Sequence, residues 1–296
     1  MKHFIKIIIY FVSDLFGLIK PFIYHLQYQH FTNEIKNTNP QKPLCVLGNG
    51  PSAKQVIDNL IGDNSVDVCT VNFCGNSDYF FSLKPHYYIF SDPAFYQKQK
   101  ENEFSRLFNN FKKIDWEMTL YMPYYFPKSF KRLIETNKKI TVLHFCQVDW
   151  CPRLIFFNKI KCFLYKKGLL APNIKNVIIP SICTGLLRGY HVIYLYGVEH
   201  SWTKFTFVDE KNQVMILDEH FYGTSVRPWM SEGKPCKMHT LMRMMHDVFK
   251  SYWYVREFAD YLGNVEIINC TNGSFIDAFE RKNDSPQIVN ANQRLM

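Results

Sequence analysis

The sequence predicts an α/β fold: a single Rossmann-like domain with a mostly parallel sheet, a lid insertion and an N-terminal helix. Three observations predict it. Leu44-Cys45-Val46-Leu47 is a short apolar run that breaks into Gly48-Asn49-Gly50-Pro51-Ser52 and then a helix-like segment, the pattern of a first strand-loop-helix unit. Further apolar runs of strand length alternate with helical patterns and end in polar residues, as in β-α-β units. With 296 residues, 47% of them hydrophobic and 17% aromatic, the chain can bury a large core in one domain.

The first segment, residues 1–35, is rich in Ile, Phe, Leu and Tyr from Phe4 to Leu26 but carries Lys6, Asp14, Lys20 and Pro21. A spanning helix wants about 20 uninterrupted apolar residues, and no small-residue cleavage site follows, so span and cleaved signal both fit poorly. Lys2, Lys6 and Lys20 among aromatics fit an amphipathic segment lying on an inner membrane surface. A helix packed on the main domain is the other reading. Polar residues from Asn33 to Pro43 form a linker to a domain over 42–281.

Within that domain Ala53 to Leu60 reads as a helix and Val66 to Asn72 as a strand with a polar end. His86 to Pro93 is a third strand, ending in Ser91-Asp92-Pro93. Leu120 to Met122 and Ile140 to Phe145 are shorter strands, Val177 to Tyr190 an apolar helix, and His191 to His200 a buried strand closing on Glu199-His200. The stretch 203–235 is irregular and reads as a lid. His239 to Leu262 has helical periodicity stopped by Gly263, Val265 to Cys270 is a last strand, Phe275 to Arg281 a short helix, and 282–296 a polar, disordered tail.

Composition narrows the function classes. A net charge of +9 favours anionic partners, yet no Arg/Lys-rich recognition helix or zinc-finger spacing appears, which argues against nucleic acid. The nine cysteines form no C-x-x-C pair and several sit in apolar runs, so they read as reduced core residues of a cytoplasmic protein. On glycine spacing alone, Gly48-Asn49-Gly50 is either a tight turn or a phosphate cradle. In the second reading the glycines let backbone approach the ligand, Pro51 starts the helix, and its first amides face an anion.

Four strand ends then share one pattern: Gly48-Asn49-Gly50-Pro51-Ser52, Val71-Asn72, Ser91-Asp92-Pro93 and Gly197-Val198-Glu199-His200. In this order they resemble the catalytic domain of bacterial sialyltransferases of glycosyltransferase family 42. They are also similar to MptE-like domains, which include archaeal pterin diphosphokinases and proteins of surface-polysaccharide loci. The resemblance implies a GT-A type variant of the Rossmann-like fold. It implies a donor site built from Gly48, Asn49, Gly50, Pro51, Ser52, Asn72, Asp92 and Glu199. Asn49 and Asn72 would contact the nucleotide and its sugar, and Ser201, Trp202 and Tyr222 are candidates to stabilise the departing phosphate. Asp92 stands where the family has Asn-Pro, Glu199 replaces an aspartate, and the family's Thr-Ser-Gly loop is absent near Lys175 to Ile178.

The family's base is a histidine at the head of the helix before the last strand, which implies His246 or His239. Local context favours His200 and His220, each following an acid near a strand end or in the lid. An imidazole with an ordinary pKa near ~6.5 suits hydroxyl deprotonation. No Asp-x-Asp pair is present to hold a metal across a diphosphate; Asp115-Trp116-Glu117 and Asp209-Glu210 read as surface acids, which predicts metal-independent transfer, with no cofactor, if the donor is a nucleotide monophosphate sugar. The resemblance thus implies a glycosyltransferase moving sialic acid or another CMP-activated sugar from a nucleotide-sugar to a lipooligosaccharide or capsule glycan, at the inner membrane. The rivals are a diphosphokinase using ATP and a non-catalytic nucleotide-binding protein.

Overall fold

The structure, a computed structural model, describes residues 2–28, 33–150, 152, 154, 156–220, 223–231 and 233–282. Helix α1 (Lys2–Tyr28) precedes β1 (Leu44–Leu47), a 3-10 turn at Pro51–Ala53, α2 (Lys54–Leu60) and β2 (Asp67–Val71). Then follow α3 (Phe80–Leu83), β3 (Tyr87–Ile89), α4 (Ala94–Gln97), α5 (Asn102–Phe111), β4 (Met118–Pro123), α6 (Lys128–Ile134) and β5 (Ile140–Phe145). Helices α7 (Phe157–Lys166) and α8 (Ile178–Arg188) lead to β6 (Val192–Tyr196). Short strands β7 (Thr206–Val208), β8 (Val214–His220), β9 (Gly223–Pro228), β10 (Met230–Ser231) and β11 (Lys234–Pro235) precede α9 (Met238–Leu262), β12 (Glu266–Asn269) and β13 (Glu280–Arg281).

The main sheet has eight strands in the order β13-β12-β6-β1-β2-β3-β4-β5. Every pairing in it is parallel. Strands buried on both faces need no polar alternation, which is why Leu44-Cys45-Val46-Leu47 is apolar throughout. Leu44 and Val46 pack with Ile178, Ile182 and Val255 on one face, while Cys45 and Leu47 pack with Val56, Ile57 and Leu60 on the other. The result is a Rossmann-like α/β domain with helices on both sides. The chain runs outward from β1 to β5 and then returns to place β6 on the far side of β1. That reversal makes the β1/β6 boundary the topological switch point, where open α/β sheets place their ligands.

Most strands and helices expected from the sequence are present within two or three residues. Two stretches differ. Residues 275–281 are not a helix: Phe275 N donates to Glu199 O at 2.7 Å and Ser274 Oγ to Val198 O at 2.8 Å, so the segment is tied to the β6 loop and ends in β13. The stretch 203–235 is more regular than its composition suggests. It forms an antiparallel sheet, β7-β8-β9, and the small β10-β11 ladder. Among the described cysteines seven are buried and free, and burial pushes the Cys69 and Cys74 thiols up to about 12. Of the predicted tail, 283–296 lies outside the described residues, as do Cys151 and Tyr222.

Candidate functional site

A cleft of about 590 Å³ opens at the switch point, and the loops after β1, β2, β3 and β6 build its wall. Gly48, Asn49, Gly50, Pro51, Asn72, Asp92, Glu199, His200, Ser201 and Trp202 all line it. The sequence-predicted strand ends therefore meet in one place. Gln147, Lys175, Asn176, Phe205, Leu217 and Arg227 line it as well, and none of these was singled out from the sequence.

The glycine loop owes its composition to packing against β6. A Cβ on Gly48 would lie 2.3 Å from Gly197 O, a contact only backbone movement could relieve, and one on Gly50 would overlap the Glu199 carboxylate. Neither glycine has a positive φ. Gly48 N donates to Tyr196 O at 2.8 Å, Gly50 N to Gly197 O at 2.9 Å and Ser52 N to Glu199 Oε1 at 2.7 Å. These amides are thus committed within the protein. The anion at the helix start is Glu199 itself, which corrects the expectation that the loop's amides cradle a phosphate. Ser52 does not line the cleft; its amide holds the carboxylate that does.

What the loops offer a ligand is side chains. Asn49 Nδ2 donates to Val71 O at 3.4 Å, which leaves its Oδ1 turned away and without a partner. Asn72 Oδ1, Glu199 Oε2 and Asn176 Nδ2 are also buried atoms without a hydrogen-bond partner. An orphaned buried polar atom costs about 1–3 kcal/mol, so four gathered at one cleft point to groups that a ligand satisfies. The loops after β1, β2 and β6 present acceptors, while Lys175, Asn176 Nδ2 and Arg227 present donors from the start of α8 and from β9.

Two cleft residues hold a left-handed backbone, Asn72 at φ +50° and His200 at φ +49°. Non-glycine residues there are uncommon and concentrate at functional sites. Tyr88 supports the first, its hydroxyl donating to Asn72 O and accepting from Gly75 N at 2.9 Å. His200 is held by a stack on Trp202, with ring centroids 4.3 Å apart, and by a hydrogen bond between its Nδ1 and Tyr252 Oη at 3.0 Å.

That second bond fixes the tautomer. Asn176 Oδ1 accepts from Ile178 N at 2.9 Å and Ile179 N at 3.3 Å, which identifies it as the carbonyl oxygen. Tyr252 Oη, 3.2 Å from the same oxygen, donates its single hydrogen there and must accept from His200. His200 therefore carries its proton on Nδ1 and keeps the Nε2 lone pair. Burial drives its pKa down to about 3, which corrects the ordinary value near ~6.5 expected from the sequence: the ring is neutral across the physiological range and a weaker base than a free imidazole.

The other histidines lie elsewhere. His239 and His246 are exposed on α9 and do not line the cleft, and His246 Nδ1 faces Asp247 at 3.2 Å. His220 ends β8, in register with Gly223, and its side chain lies outside what is described. Asp92 accepts from Ala94 N at 2.8 Å and caps α4. Among the described residues no group of three or more His, Cys, Asp and Glu side chains is placed to hold a metal ion. Asn176 had a signal in the sequence, a polar residue just before an apolar helix, whereas Tyr252 sits unmarked in an aromatic-rich one.

No protein-family model matches the sequence, and no curated protein does. Among solved structures the chain is similar to the MAf glycosyltransferase from Magnetospirillum magneticum AMB-1, at 13% identity and a TM-score of 0.47 over 86% of this chain. The chain spans 36% of that protein's length. It is also similar to the sialyltransferase CstII from Campylobacter jejuni, solved in complex with the substrate analogue cytidine-5'-monophosphate. There the identity is 15% and the TM-score 0.36, over 81% of this chain and 84% of that one.

Proposed function

We propose that this chain is a glycosyltransferase that takes a sugar from a nucleotide donor, a CMP-activated acid such as sialic acid, and transfers it without a metal ion to a lipooligosaccharide or capsule glycan. The observation that carries the reading is the gathering of Asn49 Oδ1, Asn72 Oδ1, Glu199 Oε2 and Asn176 Nδ2, all unpartnered, around one cleft at the switch point. The choice of CMP and of the acid sugar rests on the strand-end motifs.

In this reading the unpartnered acceptors receive the hydroxyls and amino group of the nucleoside, and the donors receive the anionic phosphate. His200 Nε2 takes the proton of the acceptor hydroxyl as its oxygen bonds to the anomeric carbon. The bond from that carbon to the phosphate oxygen breaks, and the electron pair leaves on the nucleotide, where Lys175 and Arg227 offset the charge. Trp202 keeps the imidazole in place, and Tyr252 keeps its proton on Nδ1.

The test is transfer from a CMP-activated sugar in the presence of EDTA, with single alanine substitutions of the histidines. His200→Ala is expected to lower kcat by about 10²–10⁴. His239→Ala and His246→Ala are expected to stay within about twofold, because neither side chain reaches the cleft. Retained activity in His200→Ala, with loss in either of the others, would overturn the assignment of the base.

A further inference from the structure

We propose that α1 and the outward face of α7 together form a docking surface for an anionic lipid bilayer, on which the protein lies with α1 parallel to the membrane plane. The inference is independent of the chemistry in the cleft. It begins from the way α1 is turned: its acid and its one described buried histidine face the protein, and its outward side is mostly apolar. Asp14 is 3% exposed, and its Oδ2 accepts from Leu154 N at 3.0 Å. His25 is equally enclosed and donates from Nε2 to Leu169 O at 2.8 Å. Between them Gly17 lies so close to the Trp150 indole that a Cβ would come within 2.4 Å of it.

The opposite side carries Phe4, Phe16, Phe22, Ile23 and Leu26, each more than half exposed. Surface helices normally present the reverse arrangement, and an apolar face of this length exceeds the patches that monomeric soluble proteins expose. It does not stop at α1. The ring of Phe11 lies 6.1 Å from that of Phe156, which starts an exposed apolar row, Phe156, Ile160 and Phe163, along α7.

Charge selects the occupant. The exposed charged side chains described on α1 are Lys6 and Lys20, and those on α7 are Lys159 and Lys166, with Lys167 just beyond. The acid of α1, Asp14, is buried, and α7 has none. An apolar plate edged by lysines is complementary to acyl chains beneath anionic headgroups.

Residues 4–28 are long and apolar enough to cross a bilayer. The attachments at Asp14 and His25, about 16 Å apart along the helix, instead hold its C-terminal half flat against the protein. The surface also has a useful position. His25 stacks edge-on near Tyr124, and Gly17 packs on Trp150, residues that follow the C-terminal ends of β4 and β5, the end of the sheet at which the cleft opens.

The experiment is flotation of the full chain with vesicles of phosphatidylcholine, with and without phosphatidylglycerol. The unaltered chain should float with the anionic vesicles. The combined Phe156→Ser, Ile160→Ser and Phe163→Ser variant should bind them about tenfold less or weaker still, with unchanged thermal unfolding. Lys159→Glu with Lys166→Glu and Lys167→Glu, which leaves the apolar row intact, should lose the preference for phosphatidylglycerol. Undiminished flotation of the serine variant would overturn the proposal in favour of a helix that spans or anchors alone. A chain that ignores both vesicles and forms a concentration-dependent dimer disrupted by the serine changes would overturn it in favour of a second copy.

Discussion

His200 combines an uncommon backbone conformation, an aromatic stack and a defined tautomer, and its chemistry follows from them. Its folded pKa, near 3, lies below the ordinary value of about 6.5, so the unfolded chain binds a proton that the folded chain refuses. Stability is therefore untouched by this group above about pH 6.5 and erodes as pH falls from there toward 3. If His200 is the base of the proposed transfer, it is already deprotonated before donor binds, so kcat/KM should be flat from about pH 5 to 8. Bound donor phosphate places negative charge near the ring and raises its pKa, so the acid limb of kcat should lie at higher pH than that of kcat/KM. An acid limb of kcat/KM near 6.5 would contradict this environment. Tyr252→Phe removes the acceptor for Nδ1–H and should lower kcat about tenfold or more with little change in KM. At this scale the sequence was partly legible: an acid and an imidazole at a strand end marked Glu199 and His200. The hydrogen-bond partner of His200, Tyr252, comes from α9, some 50 residues away, and is itself held by Asn176 before α8; no local pattern announces such contacts.

The helices show how composition alone can mislead about direction. Strands β1, β2, β5 and β6 were plain as apolar runs, and α9 was plain from its period and its stop at Gly263. The apolar richness of α1 was also plain, but not that Asp14 and His25 form the seam with the body. Residues 275–281 had helical composition, and long-range bonds to the β6 loop outweighed it. Helices α7 and α9 meet through an ion pair with one buried end: Lys161, 1% exposed, reaches the exposed Glu257 at its Oε2, 2.6 Å away, and lies 4.8 Å from the Tyr254 ring. Removing Glu257 leaves the buried lysine without its acid, so Glu257→Ala should cost about 2 kcal/mol in urea unfolding. Lys161→Met, which fills the same space without a charge, should fall within about 1 kcal/mol of the unaltered chain. Equal losses in the two variants would show that packing, and not the stranded lysine, sets the cost.

Across the whole molecule, the order of the sheet decides which loops share a site. Repeated strand-loop-helix units implied that polar strand ends would face one side, and they do. The return of the chain to put β6 beside β1 was not readable, because strand order depends on the faces that distant helices bury. That return brings Glu199 onto the glycine loop, where it takes the Ser52 amide, and leaves Asn49 Oδ1 and Asn72 Oδ1 without partners at the cleft. The central claim is that this cleft binds a cytidine monophosphate group without metal, and thermal unfolding with CMP, UMP, GMP and ATP, with EDTA or Mg²⁺, tests it most directly. At a hundredfold excess over Kd, CMP with EDTA should stabilise the fold by about 2.7 kcal/mol, a rise of several degrees in Tm. The rise should be absent in Asn49→Ala combined with Asn72→Ala. No shift with CMP, or a shift only with ATP and Mg²⁺, would contradict the account.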